Sequence, residues 1–242
     1  MEPSARDIEA RLAVVRERIE RARDRAGRRD AVTLVAVSKT APLTAVVAAC
    51  LAGHRDFGEN RVQDALPRAA ALPALLVAAG LSPEATPRWH FIGHLQSNKA
   101  RRAVGPFALL HAVDDLDLAG RLDLAAAAAG SRQAVLLEVN VAREPQKAGV
   151  APEAAIDCAA RLAEACPHLD LQGLMTMARF GAGEAELRAT FRGLRELAAA
   201  ARAATRLPLP ALSMGMSDDY GIAVEEGATL VRVGTAIFGP RA

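Results

Sequence analysis

The chain has 242 residues, 51% of them hydrophobic, and a net charge of only +2 despite 30 basic side chains. This is enough apolar material for one large core, and α/β barrels reach this size as a single domain, whereas so balanced a charge argues against nucleic acid as the main partner. No apolar run approaches the thickness of a bilayer, Met1 to Arg29 has no signal-peptide core, and Cys50, Cys158 and Cys166 form no C-x-x-C pair, so the expected setting is the reducing cytoplasm, without membrane, disulfide or metal framework.

From Ser4 to Ala26, Ile8, Leu12, Val15 and Ile19 recur at helical spacing, with Asp7/Arg11 and Glu17/Arg21 on the polar side, which predicts an amphipathic helix. Strand one is the apolar run from Leu34 that ends at Lys39, followed by a helix from Leu43 to Ala52 closed by Gly53. The pattern then repeats. His54 to Phe57 reads as strand two, with Gly58-Glu59-Asn60 opening a helix through Leu66; Ala70 to Pro87, with Pro73 and Pro83, reads as an extended loop with a helical piece. Arg88 to Ile92 is strand three, with a helix from the Gly93–Asn98 turn through Ala103, and Phe107 to Val113 is strand four, with Asp114 and Asp115 capping a helix to about Ala129. Ala134 to Val141 is strand five, before a helix between Pro152 and Cys166; Leu169 to Met175 is strand six, before a helix from Glu184 to Thr205. Pro210 to Met214 and Ala228 to Val233 complete the strands, with a short helix near Asp218 to Glu226 between them. Eight strands alternating with helices predict a single parallel (β/α)8 barrel over residues 1–242, with an extra N-terminal helix.

In such a barrel the active face lies at the carboxyl ends of the strands, and phosphate is often held after strands seven and eight. Lys39 stands at one of these ends. On position alone it reads as a solvated strand-end lysine, yet a desolvated amine there could form a Schiff base. Lys39, Lys99 and Lys147 are the chain's few lysines among many arginines, and a guanidinium cannot take an amine's place in an imine. After strand seven comes Ser213-Met214-Gly215-Met216-Ser217, and after strand eight Gly234-Thr235; each pairs glycine with hydroxyls before a helix start, as a phosphate cradle or an ordinary cap would. Strand alternation puts Arg232 on one face with Leu230 and Gly234, so an inward guanidinium there needs a partner, either a carboxylate such as Glu138 or the ring nitrogen of a cofactor. Pyridoxal 5'-phosphate (PLP) requires a lysine, a phosphate cradle and a group facing its pyridine nitrogen, and these residues supply all three. His90 and His94 are four apart, but a strand running into a glycine turn does not make their side chains converge, so no metal site is expected.

The segments Val35-Ala36-Val37-Ser38-Lys39-Thr40, Phe57-Gly58-Glu59-Asn60, Trp89-His90-Phe91-Ile92-Gly93-His94-Leu95-Gln96-Ser97-Asn98-Lys99, Gly173-Leu174-Met175, Ser213-Met214-Gly215-Met216-Ser217-Asp218-Asp219 and Arg232-Val233-Gly234-Thr235-Ala236-Ile237-Phe238-Gly239 resemble, in order, the motifs of the pyridoxal phosphate homeostasis protein family. The resemblance spans nearly the whole chain and implies a PLP barrel akin to the N-terminal domain of alanine racemase. It implies PLP on Lys39, the phosphate near Ser217, Gly234 and Thr235, with Ser213 as another candidate contact, Arg232 at the pyridine nitrogen and Asn60 lining the pocket. Arg61, where an aromatic residue is more usual, and the Arg143–Gln146 loop depart from the pattern only at the rim.

The function expected is intracellular PLP homeostasis: the cofactor held on Lys39 and buffered or delivered, without robust catalysis. An arginine at the pyridine nitrogen weakens the ring as an electron sink, and the sequence stops at Ala242 without the β-domain that closes the racemase site. The alternatives are a PLP-dependent amino-acid racemase, for which Tyr220 would be the available second acid/base, and a barrel enzyme acting on a phosphorylated metabolite. The expected partners are PLP and PLP-dependent apo-enzymes, with no nucleic acid and no membrane, and the expected state is a monomer.

Overall fold

Period-two alternation along short β-branched runs makes strands with two different faces, and here one face turns toward a shared axis while the other meets a ring of helices. The computed structural model of the chain describes residues 3–82 and 86–239. The strands are β1 (Thr33–Val37), β2 (Asp56–Glu59), β3 (Arg88–Phe91), β4 (Leu109–Val113), β5 (Gln133–Glu138), β6 (Leu169–Met175), β7 (Ala211–Ser213) and β8 (Leu230–Val233). The helices are α1 (Ala5–Arg25), α2 (Leu43–Leu51), α3 (Val62–Ala78), α4 (Ala100–Ala103), α5 (Leu116–Ala128), α6 (Ala155–Ala165), α7 (Glu184–Thr205), α8 (Tyr220–Glu225) and α9 (Thr235–Phe238). Every strand runs parallel to the next and β8 returns to β1, pairing Leu230 with Thr33 and Arg232 with Val35, so the sheet is a closed (β/α)8 barrel.

Two apolar layers follow from this closure. Val35, Leu109, Ala112, Leu136, Met175, Ala211 and Leu230 form a cluster of their own inside the barrel. A much larger layer, with Phe57, Phe91, Phe191, Leu110 and Leu137, fills the shell between strands and helices. The extra helix α1 buries Ile8, Leu12, Val15, Ile19 and Ala22 and packs against α2, α8 and α9. It thereby covers the β8–β1 seam, where α8 has only six residues. Ser4 and Asp7 form a reciprocal capping box at its start, and beyond its end Arg28 donates to the carbonyls of Val224 and Ala228.

The predicted order of elements holds, with differences at their ends. Strand β1 stops at Val37, leaving Lys39 in the turn beyond it. Gly58 and Glu59 belong to β2 and do not open the next helix. That helix, α3, runs on to Ala78 through Pro67 and Pro73; burial of Ala65, Leu72 and Leu76 outweighs the ladder bonds the prolines remove. Pro83 lies outside the described residues. Asp115 alone caps α5, accepting from the Leu118 N–H at 2.7 Å, and the turn after β8 forms the short helix α9. Among the described residues no helix is long and apolar enough to cross a membrane. All three cysteines are buried thiols, and burial pushes Cys50 up to about 11.

Gly173 shows how tightly the strands are set. It lies in β6 at φ +156°, and a Cβ built on it would meet the Ala211 carbonyl oxygen of β7 at 1.9 Å. The register between β5 and β6 shifts at the same level, so glycine allows the neighbouring strand backbone to approach. Gly173→Ala should destabilise the protein by at least about 3 kcal/mol, read from the midpoint of urea unfolding followed by far-ultraviolet circular dichroism; a wild-type midpoint would contradict this packing.

Candidate functional site

The carboxyl ends of the strands surround a cavity of about 540 Å³ whose lining includes Lys39, Asn60, Glu138, Lys147, Met216 and Arg232. Its size suits a small cofactor. Three basic residues and one buried carboxyl face the same space, so its charge favours a dianion once that carboxyl is neutral.

Lys39 is half-buried, in a turn held from below. The turn is pinned by Ser38, whose N–H donates to the Gly58 carbonyl at 3.0 Å and whose carbonyl accepts from Ala41 N–H at 2.8 Å. Its hydroxyl donates to Glu59 Oε1 at 2.7 Å, and Arg68 donates to the Ser38 carbonyl at 3.1 Å. Arg68 also lies 3.3 Å from the Glu59 carboxylate. Glu59 is fully buried; burial pushes its carboxyl up, opposed by the Ser38 bond and the Arg68 charge. The turn beneath Lys39 is therefore tied to both β2 and α3.

Arg232 projects inward from β8 and is only 4% exposed. Its Nη1 donates to Ser213 Oγ at 2.5 Å and its Nη2 to the Thr176 carbonyl at 3.0 Å. Thr176 in turn donates its hydroxyl to the Val139 carbonyl at 2.7 Å. Burial pulls the guanidinium down to about 10, opposed by the Glu138 and Asp219 carboxylates, which leaves it protonated at neutral pH. Ser213 is fully buried beside it and also meets His111 Nδ1 at 2.8 Å.

Ser217, Gly234 and Thr235 form a separate group. The Gly234 N–H donates to Ser217 Oγ at 3.3 Å, and the Thr235 hydroxyl lies 3.0 Å from the same oxygen. Gly215, at φ +93°, turns the chain out of β7, and the Met216 N–H is held by Asp219 Oδ1 at 2.6 Å. The structure thus brings together the two hydroxyl-glycine loops of the sequence and sets Ser213 apart from them, inside the barrel. His90 points into the barrel toward Asp56 and His111, while His94 bonds Asp114 at 3.0 Å at the rim, so the two histidines diverge.

Sequence reasoning missed Glu138 as a cavity residue and considered it only as a partner for Arg232. Alternation in β5 was the available signal, because it places Glu138 on the inward face with Ala134 and Leu136. Burial, then the neighbouring Asp114 charge, pushes its carboxyl up to about 7, against the pull of Arg232, His94 and Lys147. Lys147 reaches back from its loop to the Ala178 carbonyl at 2.9 Å and pairs with Glu144. Glu59 lies in the Phe57–Asn60 motif without a role assigned to it, and Arg68 and His111 lie in no quoted motif; their roles emerge only when β2, β4 and α3 are brought together.

The chain is similar to known proteins over nearly its whole length. The family model described as the alanine racemase N-terminal domain matches residues 11–242. A pyridoxal phosphate homeostasis protein of Pseudomonas aeruginosa is 44% identical over 235 residues, covering 97% of this chain and 96% of that one. Another, from Escherichia coli, is 42% identical over 238 residues, covering 97% of each. The solved structure of PipY from Synechococcus elongatus with PLP bound superposes with a TM-score of 0.81 at 39% identity, covering 96% of this chain and 100% of that one. With its eight-stranded barrel and end-to-end matches, the chain belongs to the alanine racemase N-terminal domain family and, within it, to the pyridoxal phosphate homeostasis proteins.

Proposed function

We propose that this chain binds PLP, holds it as a Schiff base on Lys39, and buffers or delivers it within the cytoplasm without robust turnover of its own. The observation that carries the reading is that an amine from the β1 turn and a buried guanidinium from β8 line one cavity, which the loop after β7 reaches through Met216, while the next residue, Ser217, is gathered with the Gly234 N–H and the Thr235 hydroxyl. These match an aldehyde, a pyridine nitrogen and a phosphate. PipY, 39% identical, has been solved with PLP bound, which supports PLP as the ligand.

Each residue then has a task. Lys39 supplies the amine, which condenses with the aldehyde with loss of water. Ser217, Thr235 and the Gly234 N–H hold the phosphate, and Asn60 lines the wall. Arg232, fixed by Ser213 and Thr176, faces the pyridine nitrogen; as a permanent donor it keeps that nitrogen unprotonated and disfavours carbanion chemistry. Bound PLP supplies a reactive aldehyde and a conjugated ring, and the chain's part is to hold both without activating them.

A racemase would need a second acid/base opposite the lysine. The chain has a single tyrosine, Tyr220. It is 2% exposed within the outer apolar layer, with the Arg18 guanidinium of α1 stacked 4.9 Å from its ring centre. Burial pushes its phenol up further. That position favours a carrier over a two-base catalyst.

Mixing the purified protein with PLP should give a visible absorption band that borohydride bleaches, and Lys39→Ala should lose it; a bleachable band retained in that variant would overturn the tether. Loaded protein should restore activity to a PLP-dependent apo-enzyme while showing no interconversion of L- and D-alanine. Lys39-dependent racemisation would instead establish the enzyme.

Glu138 gives a pH test. Its carboxyl, raised to about 7 in the folded chain, ionises in the unfolded chain near 4.5, so folding loses stability as pH rises between those values and gains nothing from ionisation above them. In PLP-free protein, Glu138→Gln should therefore be more stable than wild type by on the order of 2–4 kcal/mol at pH 8 and equal to it at pH 4. Denaturant unfolding at the two pH values checks this, and a variant less stable at pH 8 would contradict it.

A further inference from the structure

The contact between Arg232 and Ser213 is one end of a hydrogen-bonded chain that crosses the barrel interior. Ser213 Oγ meets His111 Nδ1 at 2.8 Å, His111 Nε2 meets His90 Nδ1 at 3.0 Å, and His90 Nε2 meets Asp56 Oδ1 at 3.0 Å. Arg88 closes the far end with a two-pronged pair to Asp56, at 2.8 and 2.6 Å. From Asp56 to Arg232 every member is at most 8% exposed. The chain runs from the first residue of β2 through β3 and β4 and across the lumen to β7 and β8. Arg88, with 63% of its side chain exposed, borders a second cavity of about 560 Å³ at the amino-terminal mouth.

The ends of this chain fix its direction. A guanidinium only donates and an ionised carboxylate only accepts, while a neutral imidazole has one nitrogen of each kind. Burial would push the Asp56 carboxyl up, but the bonds from His90 and Arg88 hold it well below the usual carboxylate range. Complete burial, with His90 and Arg232 nearby, holds His111 well below its ordinary value and hence neutral. One consistent assignment has every proton pointing toward Asp56: His90 donates from Nε2, His111 donates from Nε2, and Ser213 donates its hydroxyl to His111. The reverse direction needs a charged His90 and leaves Ser213 accepting from both of its neighbours.

We propose that Asp56 sets the polarity of this chain and thereby acts as a positioning residue for Arg232 from the opposite end of the barrel. With its proton committed to His111, Ser213 presents only lone pairs to Arg232 Nη1. The aligned dipoles put their negative end against the buried guanidinium, which does there what an adjacent carboxylate would do without placing a second full charge beside the cavity. The consequence for the pyridine nitrogen rests on the PLP reading above; the polarity of the chain does not.

The test is a long-range ¹H–¹⁵N spectrum of the histidine rings in the full chain freed of PLP at neutral pH. Both His90 and His111 should be neutral and protonated on Nε2; either ring protonated on Nδ1, or present as imidazolium, overturns the proposal. Asp56→Asn, whose carbonyl can still accept from His90, should keep both tautomers, whereas Asp56→Leu should leave His111 a mixture of the two. An unchanged His111 spectrum in a folded Asp56→Leu protein overturns the proposal, and if that variant does not fold, the wild-type and Asn spectra still decide. With PLP added, the pyridine ¹⁵N shift should move in the Leu variant and not in the Asn variant. Correct tautomers in a protein that fails to bind PLP would sink the functional reading and leave the chain's polarity standing.

Discussion

A guanidinium inside a β-barrel must be solvated by the protein itself, and Arg232 imposes that requirement on the strands around it. Taking an ion out of water costs several kcal/mol after relaxation, so its N–H groups need acceptors fixed in advance. The Thr176 carbonyl just beyond β6 and the Ser213 hydroxyl at the end of β7 are those acceptors. Each is tied further back: Thr176 to the Val139 carbonyl, Ser213 to His111. A charge on one strand thus organises the tops of four others.

The same constraint shapes the cavity above it. Glu138 shares that space, and burial raises its carboxyl to about 7, so near neutrality the site holds an excess of positive charge. That suits a phosphate-bearing ligand and disfavours a cation. Lys39 meets the cavity from a different support, the Ser38–Glu59–Arg68 cluster. The turn that carries the amine is held by Gly58 and Glu59 at the carboxyl end of β2, whereas the guanidinium is held by Ser213 at the end of β7 and Thr176 just beyond β6.

Much of this was legible in the sequence because it rests on local patterns. Alternation set Arg232 on one face with Leu230 and Gly234, the glycine-hydroxyl pairs marked the loops holding Ser217 and Gly234-Thr235, and helical spacing marked α1 nearly to the residue. The continuation of α3 through Pro67 and Pro73 was not legible, since local propensity opposes it and only packing of Leu72 and Leu76 decides it. Nor was the role of Ser213, which resembles a phosphate-loop serine in sequence but is carried into the lumen by strand phase. His90 and His111 lie 21 residues apart and could be joined to Asp56 only once three strands stood side by side.

The proposed tether is Lys39, one of three lysines in the chain. Borohydride reduction of the PLP-loaded protein, followed by proteolysis and mass spectrometry, locates the attachment directly. The account predicts a reduced pyridoxyl group on the peptide containing Lys39 and none on those containing Lys99 or Lys147. Stoichiometric attachment at either of the other two, with Lys39 unmodified, would contradict it.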